Sequence, residues 1–88
     1  MPPITIIAEH GSHVLVRRER AELRQEYAIV ERRNGQVSGV EGAERATFAD
    51  SEAGIAEAVG EGWMDEEAAR RLFREIAERG DQLARRIW

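Results

Sequence analysis

Two histidines three residues apart, His10 and His13 in the run EHGSH, are the first place to look for chemistry, because imidazoles at that spacing beside Glu9 could share a metal ion. A metal site needs three or four ligands, and the chain has no further histidine and no cysteine. The pair therefore reads as a solvated hairpin tip. Ser12 beside His13 is not a triad either, since neighbours on a turn rarely point at one another and no orienting acid accompanies them. The 17 carboxylates are plentiful. A general acid or base, however, needs burial or a like-charged neighbour to shift its pKa, and helix-surface acids such as Glu75 and Glu78 have neither. We expect a protein that is not an enzyme and carries no metal or cofactor.

The order of the charges says more than their number. All 13 basic residues are arginine, and the net charge is −4. From Met1 to Ala49 acids and arginines balance. From Asp50 to Glu67 come Asp50, Glu52, Glu57, Glu61, Asp65, Glu66 and Glu67 with no basic residue between them, and from Ala68 onward arginine is in excess. Asp50, Glu52, Asp65, Glu66 and Glu67 each sit at an expected helix start, where the dipole favours negative charge. Two such starts lying side by side would also present one concentrated negative surface, which attracts basic partners and steers association. These seven acids are the candidate partner-binding residues.

The arginines cluster as well, at Arg17, Arg18, Arg20 and Arg24 and again at Arg70, Arg71, Arg74, Arg85 and Arg86. An arginine-bearing helix on a small sheet could bind nucleic acid. Nearly every arginine nevertheless has an acid within four residues, which gives ion-paired faces and makes direct nucleic-acid binding the weaker reading. Trp63 and Trp88 complete the candidates. Tryptophan is enriched among interface anchors, and Trp88 at the C terminus suggests self-association as a homodimer.

The elements that must position these residues follow from periodicity. Asp65 to Arg79 reads as an amphipathic helix: Ala69, Leu72, Phe73 and Ile76 recur at three- and four-residue spacing, Asp65 caps the start, and Glu66 and Glu67 precede Arg70 and Arg71 by four. Ile76, Gly80, Leu83 and Ile87 continue the stripe, so one helix through Gly80 and two helices broken there both stay open. In the continuous case Gly80 lies on the packed face. An earlier helix is expected from Asp50 or Ser51, with Ile55, Ala58 and Val59 as its apolar face, Gly54 as a cost within it, and Gly60 and Gly62 ending it. Met64 is placed to staple against Ala69.

Before Asp50 the pattern is that of strands. Ile4 to Ala8 and His13 to Arg18 form a hairpin, Tyr27 to Val30 is a third strand, and Asn34-Gly35 signals a tight type I′ turn into a strand carrying Val37 and Val40. Gly39 and Gly42 weaken that strand, and Ala43 to Phe48 is a last one. The charged run from Arg18 to Gln25 fits either a protruding hairpin end or a helical turn. The fold expected is α+β: one domain over residues 1–88, an antiparallel β-meander of four or five strands over about 4–48, then two or three C-terminal helices over about 51–88 packed on one face. The expected core is Ile4, Ile7, Val14, Val16, Tyr27, Ile29, Val37, Phe48, Ile55, Val59, Leu72, Phe73 and Ile76.

An 88-residue chain supports one modest core. No apolar run approaches the roughly 18 residues of a membrane span, and the start MPPITIIAEHG lacks the basic region of a signal peptide. We expect a cytoplasmic protein of a bacterial host, and the exclusive use of arginine with abundant alanine and glycine points to a GC-rich bacterium or its phage. In size, lack of cysteine, acidic balance and sheet-plus-helix plan the chain resembles the small phage-encoded anti-CRISPR proteins. That resemblance implies binding to a Cas subunit of a CRISPR effector complex and blockage of DNA recognition; it rests on overall character, and no residue role is carried over. Two other classes stay open: a small dimeric DNA-binding regulator or antitoxin-like protein, and a structural or assembly subunit of a phage particle.

Overall fold

The computed structural model describes residues 3–20, 24–39 and 46–87, with side chains as far as residue 80. Five strands, β1 (Ile4–His10), β2 (His13–Arg20), β3 (Arg24–Arg33), β4 (Gln36–Gly39) and β5 (Phe48–Ala49), precede two helices, α1 (Glu52–Val59) and α2 (Glu66–Ile87). The strands form one antiparallel sheet in the order β1-β2-β3-β4-β5, the expected meander. Asn34 (φ 53°) and Gly35 (φ 75°) both adopt positive φ between β3 and β4, as a type I′ turn requires. The run from Arg18 to Gln25 resolves toward the hairpin reading: β2 continues to Arg20, β3 begins at Arg24, and these two residues pair. Expectations for Val40, Gly42 and Ala43 to Arg45 lie outside the described residues; the last strand itself is shorter and later than expected, Phe48–Ala49.

The placement of the helices differs from expectation. Successive side chains on a strand alternate between faces, and in β2 and β3 apolar residues occupy consecutive positions, Val14-Leu15-Val16 and Tyr27-Ala28-Ile29-Val30, all buried. Both faces of the central strands therefore need a cover. Val14, Val16, Ala28, Val30 and Val37 form one core with Ile55 of α1, and Ala58, Val59, Phe48 and Trp63 pack around it. Leu15, Tyr27 and Ile29 form a second core with Ala69 of α2, flanked by Leu72, Phe73, Ile76 and Met64. The helices lie on opposite faces, not on one. Leu15 and Ala69 join the core on the α2 face, and Ala28 and Val30 join it beside Val14 and Val16, whereas Tyr27 and Ile29, expected in one core with Val14 and Val16, lie on the opposite face.

The chain passes between the faces at the flank of β3 opposite β2. There β4 pairs with β3 from Arg33 to Val30, and at Tyr27 the partner is Met64, each backbone N–H donating to the other's carbonyl at 2.8 Å. One residue of the connection thus completes the ladder while its side chain joins the α2 core.

The helix ends follow the expected chemistry. Ser51 caps α1, its hydroxyl accepting from the Gly54 N–H at 3.1 Å, and Gly60 at φ 59° closes it. Asp65 caps α2 through the Ala68 N–H at 2.8 Å. Ser51→Ala is expected to lower the unfolding free energy by about 1 kcal/mol in a urea titration, and Ser51→Asp to retain most of it; an alanine variant as stable as the parent would show that the cap contributes nothing. α2 runs unbroken through Gly80, which is exposed with open space where a Cβ would be. Gly80 is therefore not on a packed face, and Glu78 and Arg79 beside it are exposed too: the helix has left the body of the domain by that point. No helix among the described residues is long and apolar enough to cross a membrane.

Candidate protein-binding surface

α1 is positioned by its narrow inner face. Gly54, Ile55, Ala58 and Val59 meet the sheet, which leaves Glu52, Ala53 and Glu57 exposed on the outside and Glu61 exposed just beyond the helix. At 1.5 Å rise per residue Glu52 and Glu57 stand about 7.5 Å apart along the axis. The small side chains of Ala53 and Ala56 between them leave the carboxylates as the most prominent groups.

All seven acids from Asp50 to Glu67 are exposed, yet the fold does not treat them alike. Asp50 Oδ2 lies 3.8 Å from Arg32 Nε, and the same guanidinium pairs with Glu9. Asp65 is occupied as a cap. Glu66 accepts from Arg70 at 2.8 Å and Glu67 from Arg71 at 3.2 Å, the expected four-residue pairs. Among the described residues Glu52, Glu57 and Glu61 have no ion-pair partner. The helix starts are also not side by side: α1 begins where the Asp50 N–H donates to Gly35 O at the β3–β4 turn, and α2 begins past the Tyr27–Met64 bridge on the other face. The acidic block is thus divided, and its uncompensated part belongs to α1 and the loop after it.

The arginines are largely engaged. Arg18 donates to Glu26 Oε1 through Nε (3.2 Å) and Nη2 (3.0 Å), Arg20 Nε lies 3.4 Å from the same oxygen, and Arg33 pairs with the nearly buried Glu31 at 2.7 Å. With Arg32, Arg70 and Arg71 also paired, each cluster seen in the sequence is ion-paired in part; Arg17, Arg24 and Arg74 have no ion-pair partner among the described residues, and the side chains of Arg85 and Arg86 lie outside them. Trp63 is half-buried on the α1 side, with the Arg18 guanidinium 4.1 Å from its ring centroid and its Nε1 buried without a hydrogen-bond partner. Nothing in the sequence marks this stack, because its members are 45 positions apart. Trp88 lies outside the described residues.

The remaining candidates for chemistry do not converge. His10 and His13 face each other across the first hairpin, and among the described residues no three His, Cys, Asp or Glu side chains stand close enough to hold a metal. A cavity of about 220 Å³ at the β3 flank is lined by residues such as Ile29, Ala58, Val59, Met64 and Leu72, and among the described residues no ionisable or nucleophilic side chain lines it. What the surface offers instead is three exposed acids without an ion-pair partner among the described residues, Glu52 and Glu57 on α1 and Glu61 after it. Comparison with protein-family models, characterised proteins and solved structures found no match to this chain.

Proposed function

We propose that this chain is a non-catalytic protein-binding inhibitor whose acidic α1 face occupies a basic, nucleic-acid-binding surface on a larger complex. The observation that carries this reading is the contrast within the acidic block: four acids are neutralised or spent on a cap, while Glu52, Glu57 and Glu61 are exposed and uncompensated on one helix and its exit loop. Exposed like charges without counter-ions cost the free protein some self-repulsion, which a cationic partner relieves. A Cas effector complex, whose nucleic-acid channel is lined with arginine and lysine, is the partner class that the resemblance to anti-CRISPR proteins suggests. The protein would act there by occupying the surface that the DNA needs.

The test is binding to a purified CRISPR effector complex, with competition by target DNA. Reversing Glu52, Glu57 and Glu61 together to arginine is expected to weaken binding by about 100-fold or more, roughly 2.7 kcal/mol, with an unchanged circular dichroism spectrum. Reversal of Glu66 and Glu67, which already have partners, is expected to change affinity by only a few-fold. Tight binding by the triple variant would reject the acidic face. Retention of duplex DNA by the purified protein, weakening steeply with salt, would favour the DNA-binding regulator instead, and assembly into rings or tubes the phage structural subunit.

A further inference from the structure

We propose that β1 is a self-association edge, along which two copies of this chain pair antiparallel, β1 to β1, and join their sheets into one. β1 ends the sheet, and from Ile4 to Glu9 no strand lies on its outer side among the described residues. A seven-residue edge strand is a template for pairing unless charge, proline, a bulge or cover blunts it; the bulge of β1 falls at one position, and Ile4 to Ile6 and Ala8 to His10 on either side of it pair regularly with β2. Within β1, ITIIAEH, the one acid is Glu9, and its carboxylate is engaged by Arg32. The register slips between Ile6 and Ala8. That bulge sends Ile7 and Ala8 both to the α2 core and leaves Ile6 on the opposite face, where α1 packs mainly over β3, β4 and β5. Ile6, 46% exposed, is the large hydrophobic residue left in solvent among the described residues.

The occupant that fits is a second copy. Antiparallel self-pairing matches the two edges length for length, sets the apolar middles of the strands against each other, and places each Glu9 opposite the uncharged start of the partner strand, so that no like charges meet. A two-fold arrangement also satisfies both β1 edges at once and closes. The opposite edge of the sheet, β5, is two residues long, too short for β1 of another copy to add to it, which directs association to a closed pair and away from a filament.

Sedimentation equilibrium on the full chain, from about 1 to about 500 µM because association is governed by mass action, tests this. The expected result is a rise to twice the 9.9 kDa chain mass. Ile6→Lys, at an exposed position, is expected to restore the single-chain mass at every concentration with an unchanged spectrum. In the parent, amide exchange in β1 should slow as concentration rises. A parent that stays single throughout, an Ile6→Lys chain that keeps the doubled mass, or a doubled mass lost in Trp88→Ala but not in Ile6→Lys would each overturn the proposal.

Discussion

Replacing Gly54 with alanine is expected to destabilise the fold by about 3 kcal/mol or more, although by helix propensity alone the same change would stabilise α1 by about 0.5 to 1 kcal/mol. The sign is set by the backbone of β5. A Cβ at position 54 would lie 1.7 Å from the Ala49 carbonyl oxygen and 2.8 Å from its carbon, and backbone atoms cannot rotate aside as a side-chain tip can. α1 would have to lift from the sheet, taking Ile55 out of its core. For an 88-residue domain with a typical stability of about 4 to 13 kcal/mol, such a loss is a large fraction of the total. In a thermal melt it corresponds to a fall of about 15 °C or more. Gly80→Ala is the matched control, a helical glycine with open space around it, and is expected to raise stability by up to about 1 kcal/mol. If Gly54→Ala melted at or above the parent temperature, the close packing of α1 on β5 would be refuted.

Leu15→Ala is the second large effect, expected to cost about 3 kcal/mol through lost burial and the cavity left behind. Leu15 is 1% exposed and lies in the α2 core with Tyr27, Ile29 and Ala69. The experiment separates the two arrangements of the helices. With α2 on its own face, Leu15 is the centre of that packing, and the variant should lose stability in urea while the amides of α2 lose exchange protection first. With both helices on the Val14 and Val16 face, Leu15 would look into solvent and the change would fall within about 0.5 kcal/mol of neutral. A near-neutral result would return the protein to the single-faced arrangement.

These two residues mark where local reading and structure part. Gly54 looks like a defect in a helix because propensity is a property of the helix alone, while its contact with Ala49 depends on how α1 is laid against the sheet. The apolar runs Val14-Leu15-Val16 and Tyr27-Ala28-Ile29-Val30 carry the two-faced plan openly, since a strand with one wet face alternates and these do not. The acidic block shows the same boundary for the candidate site. Its membership is read directly from the chain, and the pairs of Glu66 with Arg70 and Glu67 with Arg71 follow from helical spacing. The engagement of Asp50 by Arg32 does not, because it joins a β3 residue to one after β5.

By itself the sequence determined what depends on a few neighbouring residues: the meander of strands followed by helices, the Asn34-Gly35 turn, the Asp65 cap, a first helix capped at Asp50 or Ser51 and ended by Gly60 and Gly62, and which acids and arginines exist to be paired. Those features arise from hydrogen bonds and side-chain periodicities that span one turn or less. Only the tertiary structure decided that the helices take opposite faces, that Met64 completes the ladder at Tyr27, that Arg18 stacks on Trp63, and that within the acidic block the acids without an ion-pair partner are Glu52 and Glu57 of α1 and Glu61 after it. Each of these is a contact between residues far apart in the chain, and its partner is chosen by which surfaces must be buried together, a property of the whole sheet that no single segment carries.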